Sequence, residues 1–251
     1  AAGSVQLFAR PWLEKGVRVF SAWQCNAVPV ARFTVGQILL ALKGYFRAVQ
    51  LQNSRETAGK MARHYPGSYE ARVGLLGCGA IGSRVAKMLQ GMDVEVLVFD
   101  PFLPDERAAE LQVRKTTMEE IFATCDVISN HLANLPATRH IIKKEHLFSM
   151  RSYTTFINTG RGAQLDEMEL KDALLADPTR TALMDVLDNE AAADANPLLY
   201  LRNCIVSPHM AGSSGNEVHR MSESMLDTFA AVRAGEKVAC EVTLAQLETM
   251  A

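Results

Sequence analysis

Three segments of the 251-residue chain carry side chains that could do acid–base chemistry on a small anion. They are NTGRGAQLDEMEL with Arg161, MDVLDNE ending at Glu190, and SPHMAGSS with His209. A guanidinium can hold a carboxylate through a bidentate, charge-assisted pair. An imidazole can exchange a proton with a carbonyl or hydroxyl oxygen, and a carboxylate beside it favours its charged form. We therefore expect Arg161 to bind an anionic substrate, His209 to be the acid/base and Glu190 to support it.

The elements that must position these residues form a regular pattern from Arg72 onward. Short apolar runs alternate with helical stretches, and the runs are RVGLL, VEVLVF, DVISNHL, TTFIN, TALMDV and NCIVS. Continuous apolar strands separated by helices indicate a parallel sheet covered on both faces. Six such strands in about 135 residues predict an α/β fold with a doubly wound, Rossmann-type sheet. Arg161, Glu190 and His209 all follow strand ends, where such sheets bind ligands.

Outside the sheet the pattern is less regular. The expected elements are a short strand at 17–20, a turn-rich stretch around Asn26 and Pro29, a long amphipathic helix over 34–50, a connecting loop over 56–71, and a last helix over 214–234 that ends at Gly235. No uninterrupted apolar run approaches the ~18 residues needed to span a bilayer.

The segment GCGAIG directly follows the strand RVGLL and opens a helix. In that position Gly77 allows a tight turn, Gly79 lets the backbone approach a pyrophosphate, and Gly82 lets helix and strand pack closely. The N–H groups at the start of the helix then meet the phosphates. The alternative is an ordinary glycine-rich turn, because GxGxxG by itself is a weak signal.

Asp100 ends the second strand, 18 residues beyond Gly82. An acid at this position accepts hydrogen bonds from the adenosine ribose hydroxyls. Pro101 and Phe102 follow, with no adjacent Arg or Lys to neutralise a 2′-phosphate, so the sequence favours NAD over NADP. The alternative interpretation makes Asp100 a strand terminator or helix cap.

The sequence resembles the D-isomer-specific 2-hydroxyacid dehydrogenases over nearly its whole length. GCGAIG, the strand-ending Asp100, HLANLPAT, INTGRG, the acid Glu190 and SPHMAGSS occur in the family's order and near its spacings. The resemblance implies that Arg161, Glu190 and His209 are the catalytic residues. It implies cofactor contacts at Gly77, Gly79, Ala80, Ile81, Gly82, Asp100, Thr159, Gly160, Asp185, His209 and Gly212.

The resemblance also implies how the chain is divided. Residues 1–32 would be the end of the N-terminal segment of a flavodoxin-like substrate domain, 33–212 the NAD-binding domain, and 213–251 a helix that returns to the substrate domain. The loop AAGSV resembles the one whose backbone N–H groups receive the substrate carboxylate, which implicates Gly3, Ser4 and Val5. One departure is Ala191, where members often have a proline after the catalytic glutamate.

Composition narrows the choice of partners. The chain has 26 basic and 28 acidic residues and a formal charge of -2, which argues against binding to nucleic acid or to an anionic membrane. Five scattered cysteines indicate reduced thiols in a cytoplasmic protein. No clustered His, Cys or carboxylate spacing suggests a metal site. Surplus apolar residues on the 34–50 helix favour a homodimer.

The sequence therefore predicts an NAD-dependent oxidoreductase that interconverts a D-2-hydroxy acid and its 2-keto acid, with the particular acid and the cellular direction left open. A formate dehydrogenase of the same superfamily typically has glutamine where Glu190 stands. The alternative from another class is a non-catalytic, NAD(H)-sensing corepressor-like protein, which keeps the same three residues.

Other candidate residues are weaker. His131 ends a strand and is expected to face the cleft, but its family counterpart is not the proton donor. Cys78 is interpreted as a small packing residue rather than a redox thiol. The remaining histidines are expected at the surface, namely His64, His140, His146 and His219.

Overall fold

Two sheets are present in the part of the chain that the structure describes. The structure is a computed structural model that describes residue 5, residues 8–51 and residues 55–248. Its strands are β1 (Val19–Phe20), β2 (Arg72–Leu76), β3 (Glu95–Phe99), β4 (Arg114–Lys115), β5 (Val127–Asn130), β6 (Thr155–Asn158), β7 (Thr181–Met184), β8 (Cys204–Val206) and β9 (Glu241–Val242). Seven form one parallel sheet in the order β4-β3-β2-β5-β6-β7-β8. This confirms the doubly wound fold and adds the exposed edge strand β4, whose charged residues gave no apolar signal.

Helices cover both faces of this sheet. They are α1 (Arg10–Leu13), α2 (Trp23–Leu42), α3 (Tyr45–Gln50), α4 (Arg55–Ala62), α5 (Gly82–Leu89), α6 (Asp105–Glu110), α7 (Met118–Thr124), α8 (Lys144–Ser149), α9 (Glu167–Ala176) and α10 (Asn216–Arg233). Asp166 begins α9 by accepting hydrogen bonds from the Met168 and Glu169 N–H groups. Gly235, at a φ of 81°, follows the end of α10 as expected.

Alternation along the strands divides the core into two apolar clusters. Val73 and Leu75 of β2 point to the face covered by α2, α5 and α6, while Leu76 points to the other. That second face is covered by α7, α8 and α9, with Phe122 and Phe156 fully buried in it. Successive strand side chains point to opposite faces, so runs that are apolar throughout fill both clusters.

The register of the strands sets where the polar residues emerge. Leu76 pairs with Asn130, Asn130 with Asn158, and Asn158 with Met184. The carboxyl ends of β2, β5, β6 and β7 are therefore level. The residues that come next in the chain leave the sheet along one edge.

Three expectations for residues 23–71 are wrong. The stretch expected to be turn-rich lies inside α2, where Pro29 is accommodated because Ala27, Val30 and Ala31 are buried beside it. The helix expected over 34–50 is broken at Gly44, which has a φ of 66° and begins α3. The expected connecting loop contains α4.

The two ends of the described chain meet away from the main sheet. β1 pairs with β9 in an antiparallel ribbon, with Val19 opposite Val242, and α10 packs on α2. Helix α2 is long and apolar enough to cross a membrane by length and composition, contrary to the expectation from uninterrupted apolar runs. Half of that stretch is buried within the fold, as in the core helix of a globular protein.

Candidate active site

Glu190 and His209 form an ion pair on two loops beyond the level strand ends. His209 Nδ1 lies 2.8 Å from Glu190 Oε1, and the two side chains are 48% and 49% exposed. Glu190 follows β7 in a 3-10 helical turn, and His209 follows β8. The pair predicted from the sequence is therefore present, and about half of each side chain is accessible to solvent.

Asp185 holds the turn that carries His209. Its Oδ1 accepts hydrogen bonds from Ser207 Oγ at 2.5 Å and from the Met210 N–H at 2.9 Å. Its Oδ2 accepts from the Ala211 N–H at 2.9 Å. His209 itself has a φ of 51°, a conformation that costs on the order of 1 kcal/mol for a side chain with a Cβ. The buried carboxylate compensates by fixing the residues on both sides of His209.

Arg161 is held at its backbone by two side-chain amides. Its N–H donates to Gln164 Oε1 at 3.1 Å, and its carbonyl oxygen accepts from Asn158 Nδ2 at 3.2 Å. Its own Nη1 donates to the Gly160 carbonyl at 2.7 Å. Burial lowers the pKa of the Arg161 guanidinium, while the charge of Glu190 acts in the opposite direction. Arg161 and Glu190 are thus close enough to interact electrostatically.

The amides that position Arg161 belong to a network that the sequence analysis missed. Asn130 Nδ2 donates to Asn158 Oδ1 at 3.0 Å and to Gln164 Oε1 at 2.6 Å. Gln164 Nε2 in turn donates to the Leu132 carbonyl at 2.9 Å. All three amides are buried. The available signal was two asparagines that end strands and a glutamine in the turn after Arg161, which an analysis centred on charged residues passes over.

The GCGAIG loop has the shape that its glycines predict. Gly77 has a φ of 88°, and a Cβ there would lie 2.8 Å from the His131 carbonyl oxygen. A Cβ on Gly82 would lie 2.1 Å from the Gly77 carbonyl oxygen, so only glycine lets α5 begin this close to β2. A Cβ on Gly79 would meet nothing within 4 Å. The space beside the middle glycine is open, so the backbone there is accessible to a ligand.

Asp100 lies beside this loop and supports it. Its Oδ2 accepts a hydrogen bond from the Cys78 N–H at 2.7 Å, and its Oδ1 accepts from the Phe102 N–H at 2.9 Å. Arg107, on the next helix, is near enough to affect Cys78 electrostatically, but its Nη1 pairs with Glu110 Oε2 at 2.6 Å. The carboxylate is half-buried and retains lone pairs for further donors.

The remaining cofactor candidates surround the same edge. Ala80 and Ile81 are half-buried in the phosphate loop, and Gly212 lies against Asn26 of α2, where a Cβ would approach Asn26 Oδ1 to 3.3 Å. The Thr159 hydroxyl points inward to Thr34 Oγ1 at 3.2 Å. Gly160 is buried.

The predicted substrate loop lies mostly outside the described residues. Gly3 and Ser4 are not described, whereas Val5 is fully buried in a small cluster with Ala9, Val242 and Leu247.

Two expectations for histidines are wrong. His131 does not face the cleft, because its ring is buried, with Nε2 at 3.0 Å from Ser129 Oγ and Nδ1 at 3.4 Å from Thr159 Oγ1. This burial lowers the pKa of His131 to about 3, so the ring stays neutral at physiological pH. His146 is half-buried and stacks on Phe122, whereas His64, His140 and His219 are exposed as expected.

Two expectations remain, one for the Cys78 thiol and one for metal binding. Burial raises the pKa of the Cys78 thiol to about 11, which makes it unreactive at neutral pH and agrees with a packing role. No group of three or more metal-ligating side chains occurs within the described ranges.

Sequence comparison assigns this chain to a family. Residues 35–211 match the model of the D-isomer-specific 2-hydroxyacid dehydrogenase NAD-binding domain, so the chain belongs to that family and carries its NAD-binding domain. D-3-phosphoglycerate dehydrogenase of Methanocaldococcus jannaschii is 32% identical over 202 residues, which are 80% of this chain and 38% of the relative. Hydroxypyruvate reductase of Thermotoga maritima is 28% identical over 85% of this chain and 69% of the relative. The chain thus spans about two-fifths of the phosphoglycerate dehydrogenase relatives that it matches.

Solved structures agree on the fold. A D-isomer-specific 2-hydroxyacid dehydrogenase from Lactobacillus delbrueckii ssp. bulgaricus, solved in an NAD-complexed form, matches with a TM-score of 0.76 and 23% identity over 93% of this chain and 75% of that one. A D-2-hydroxyisocaproate dehydrogenase matches with a TM-score of 0.76 and 22% identity over 94% of this chain and 75% of that one.

Proposed function

We propose that this chain acts as an NAD-dependent oxidoreductase that interconverts a D-2-hydroxy acid and its 2-keto acid. The observation that supports this most strongly is the 2.8 Å pair of His209 and Glu190, beside Arg161 and on the same sheet edge as the GCGAIG loop. An acid/base, its charged partner and an anion-binding cation are the groups that a keto-acid reduction needs.

The residues of this edge fit the cofactor. Gly77, Gly79 and Gly82 with Ala80 and Ile81 would hold the pyrophosphate, and Asp100 would accept from the ribose hydroxyls. Bound NAD supplies the chemistry of hydride transfer to or from the substrate carbon. Thr159, Gly160, Asp185, His209 and Gly212 would shape the rest of the cofactor site, Asp185 by holding the turn that contains His209.

His209 would carry the proton. Its Nδ1 is occupied by Glu190, so Nε2 is the nitrogen that exchanges a proton with the substrate oxygen. In reduction, the imidazolium gives its Nε2 proton to the oxygen as the carbon gains a hydride, and the ring becomes neutral. In oxidation, the neutral ring takes the hydroxyl proton. Glu190 holds the ring through Nδ1 and so fixes which nitrogen faces the substrate.

Arg161 would hold the substrate carboxylate, together with backbone N–H groups of Gly3, Ser4 and Val5. A half-buried guanidinium is only partly screened by water, so a bidentate carboxylate pair there orients the substrate as well as binding it. We also propose a cytoplasmic location, which the five free cysteines support, and a homodimer without nucleic-acid or membrane partners.

The test is NADH oxidation by the full-length protein with glyoxylate, hydroxypyruvate, pyruvate and bulkier 2-keto acids. We expect turnover with at least one of them, and a loss on the order of a hundredfold or more in His209→Ala. Tight NADH binding without turnover of any 2-keto acid would refute the enzyme proposal and favour the NAD(H)-sensing corepressor alternative.

A further inference from the structure

Glu190 lies on an exposed loop whose other side-chain contacts are peripheral: Arg139 Nη2 lies 3.5 Å from Asp188 Oδ2, and the Tyr200 hydroxyl donates to the Asp194 carbonyl oxygen at 3.1 Å. Residues 188–196, called the Glu190 loop below, contain a 3-10 helical turn, Glu190–Ala195, that is interrupted by non-helical dihedral angles at Ala192. Residues 188–192 are exposed, and Ala193 is the part that packs on the core. An exposed, alanine-rich loop cannot by itself fix a carboxylate at hydrogen-bonding distance from His209.

Both ends of the Glu190 loop are bound by one carboxylate. Glu167 Oε1 accepts the Asp188 N–H at 2.8 Å, and Glu167 Oε2 accepts Asn196 Nδ2 at 2.6 Å. Asn196 is itself held, because its Oδ1 accepts from the Leu198 N–H at 2.9 Å. Glu167 is the first residue of α9 and lies six positions after Arg161, so it also ties the loop to the segment that carries the cation.

The turn that follows Arg161 packs its backbone directly against the start of the Glu190 loop. A Cβ on Gly162 would lie 2.0 Å from the Leu187 carbonyl carbon and 2.1 Å from the Asp188 nitrogen. The turn after Arg161 and the entry to the Glu190 loop are therefore in direct contact. Glu167 and Gly162 together set the distance between the segment after β6, which carries Arg161, and the segment after β7, which carries Glu190.

We propose that Glu167 is a positioning residue that bridges the ends of the Glu190 loop and so keeps Glu190 paired with His209. This inference rests on the proposed function only for the catalytic role of the Glu190–His209 pair. The effect of Glu167 on the geometry of that pair can be measured separately. The N-terminus of α9 also favours a negative charge, but a dipole effect would be shared by Glu169, which lies in the same helical turn.

The chemistry of the bridge suggests a specific substitution. Both partners of Glu167 are donors, an N–H and an NH2 group, so each needs an acceptor. Glu167→Gln keeps one acceptor and places an NH2 group against the other donor. Adding Asn196→Asp reverses that contact, because the Gln NH2 can donate to the new carboxylate while the second oxygen of that carboxylate still accepts from the Leu198 N–H. The double variant has the original net charge and the original number of hydrogen bonds, with the one between positions 167 and 196 reversed in direction.

The experiment compares full-length wild type, Glu167→Gln, the double variant and the matched control Glu169→Gln. The first readouts need no turnover: hydrogen exchange of residues 188–196, and the downfield NMR resonance of the His209 Nδ1 proton. We expect Glu167→Gln to speed exchange in the loop by roughly tenfold and to weaken that resonance. The double variant should restore both, and Glu169→Gln should change neither.

The second readout is the pH profile of kcat/KM for reduction. In Glu167→Gln its basic limb should move to lower pH, because Glu190 is no longer held beside His209, and the limb should return in the double variant. If Glu167→Gln is poorly folded, Asn196→Ala removes the contact with Glu167 and also the cap on the Leu198 N–H. It should produce the same changes to a smaller extent, because the contact of Glu167 with the Asp188 N–H remains. An unchanged His209 Nδ1 proton resonance in both Glu167→Gln and Asn196→Ala would overturn the proposal. Absence of turnover in wild type would instead refute the proposed function, while the resonance still decides the role of Glu167.

Discussion

Burial of His131 should make the stability of this protein depend on pH in a way that a single substitution removes. The ring is 8% exposed, with its two nitrogens facing Ser129 and Thr159, and its pKa is lowered to about 3. In the unfolded chain the same ring has the ordinary histidine value of about 6.5. Between these two values the unfolded state binds a proton that the folded state rejects. Stability must therefore fall as pH decreases from about 6.5 towards 3.

The expected size follows from the shift. One pH unit within that interval changes the free energy of unfolding by about 1.4 kcal/mol per proton. From pH 7 to pH 5 the loss attributable to His131 should thus be about 2 kcal/mol. That is a large fraction of the 5–15 kcal/mol by which typical domains are stable, so it is easily measured.

Urea unfolding of wild type and His131→Gln at pH 7 and pH 5 isolates this contribution. The amide of glutamine can still reach Ser129 Oγ but does not titrate, so the loss between the two pH values should be about 2 kcal/mol smaller in the variant. His219→Gln, at an exposed histidine, is the control and should behave as wild type. Equal pH dependence in wild type and His131→Gln would refute the inference that the buried ring stays neutral, and would return His131 to consideration as a proton donor.

Three further outcomes test the proposed chemistry and assembly. Glu190→Gln keeps a hydrogen-bonding oxygen beside His209 but deletes the charge, so the basic limb of the reductive kcat/KM profile between pH 5 and 10 should move to lower pH; an unmoved limb would make Glu190 a purely structural partner. NAD(H) should bind at least about tenfold more tightly than NADP(H) in calorimetric titration, since a 2′-phosphate would meet the Asp100 carboxylate; equal affinities would contradict that placement. Light scattering should give a dimer mass at micromolar concentration, because α2 and α3 expose Leu40, Tyr45 and Val49 at 42%, 49% and 45%; a monomer mass would count against the dimer.

Periodicity was sufficient to predict six of the seven strands of the central sheet and the helices that follow them. The strands are buried on both faces, so their apolar runs are continuous and their type and order could be recognised from local sequence. The same method failed over 23–71. There, tertiary burial carries α2 through Pro29, and a left-handed glycine divides the predicted long helix at Gly44. Neither effect appears in hydrophobic spacing.

The residues of the candidate site also divide into those that the sequence indicated and those that it did not. Arg161, Glu190 and His209 could be singled out because charged groups after strand ends are few and chemically distinctive. The uncharged groups that position them, among them Asn158 and Gln164, could not, because a carboxamide becomes informative only when its partners are known.

The sequence by itself determined the class of fold, the glycine-rich loop after β2 and the types of side chain at the candidate site. These depend on local features: apolar runs, glycine at a strand–helix junction, and titratable side chains at fixed offsets. Tertiary structure alone decided that Glu190 lies 2.8 Å from His209, that His131 is buried, and that Glu167 bridges the loop on which Glu190 stands. Such contacts join residues far apart in the chain, and their distances follow from strand register and core packing rather than from any local pattern.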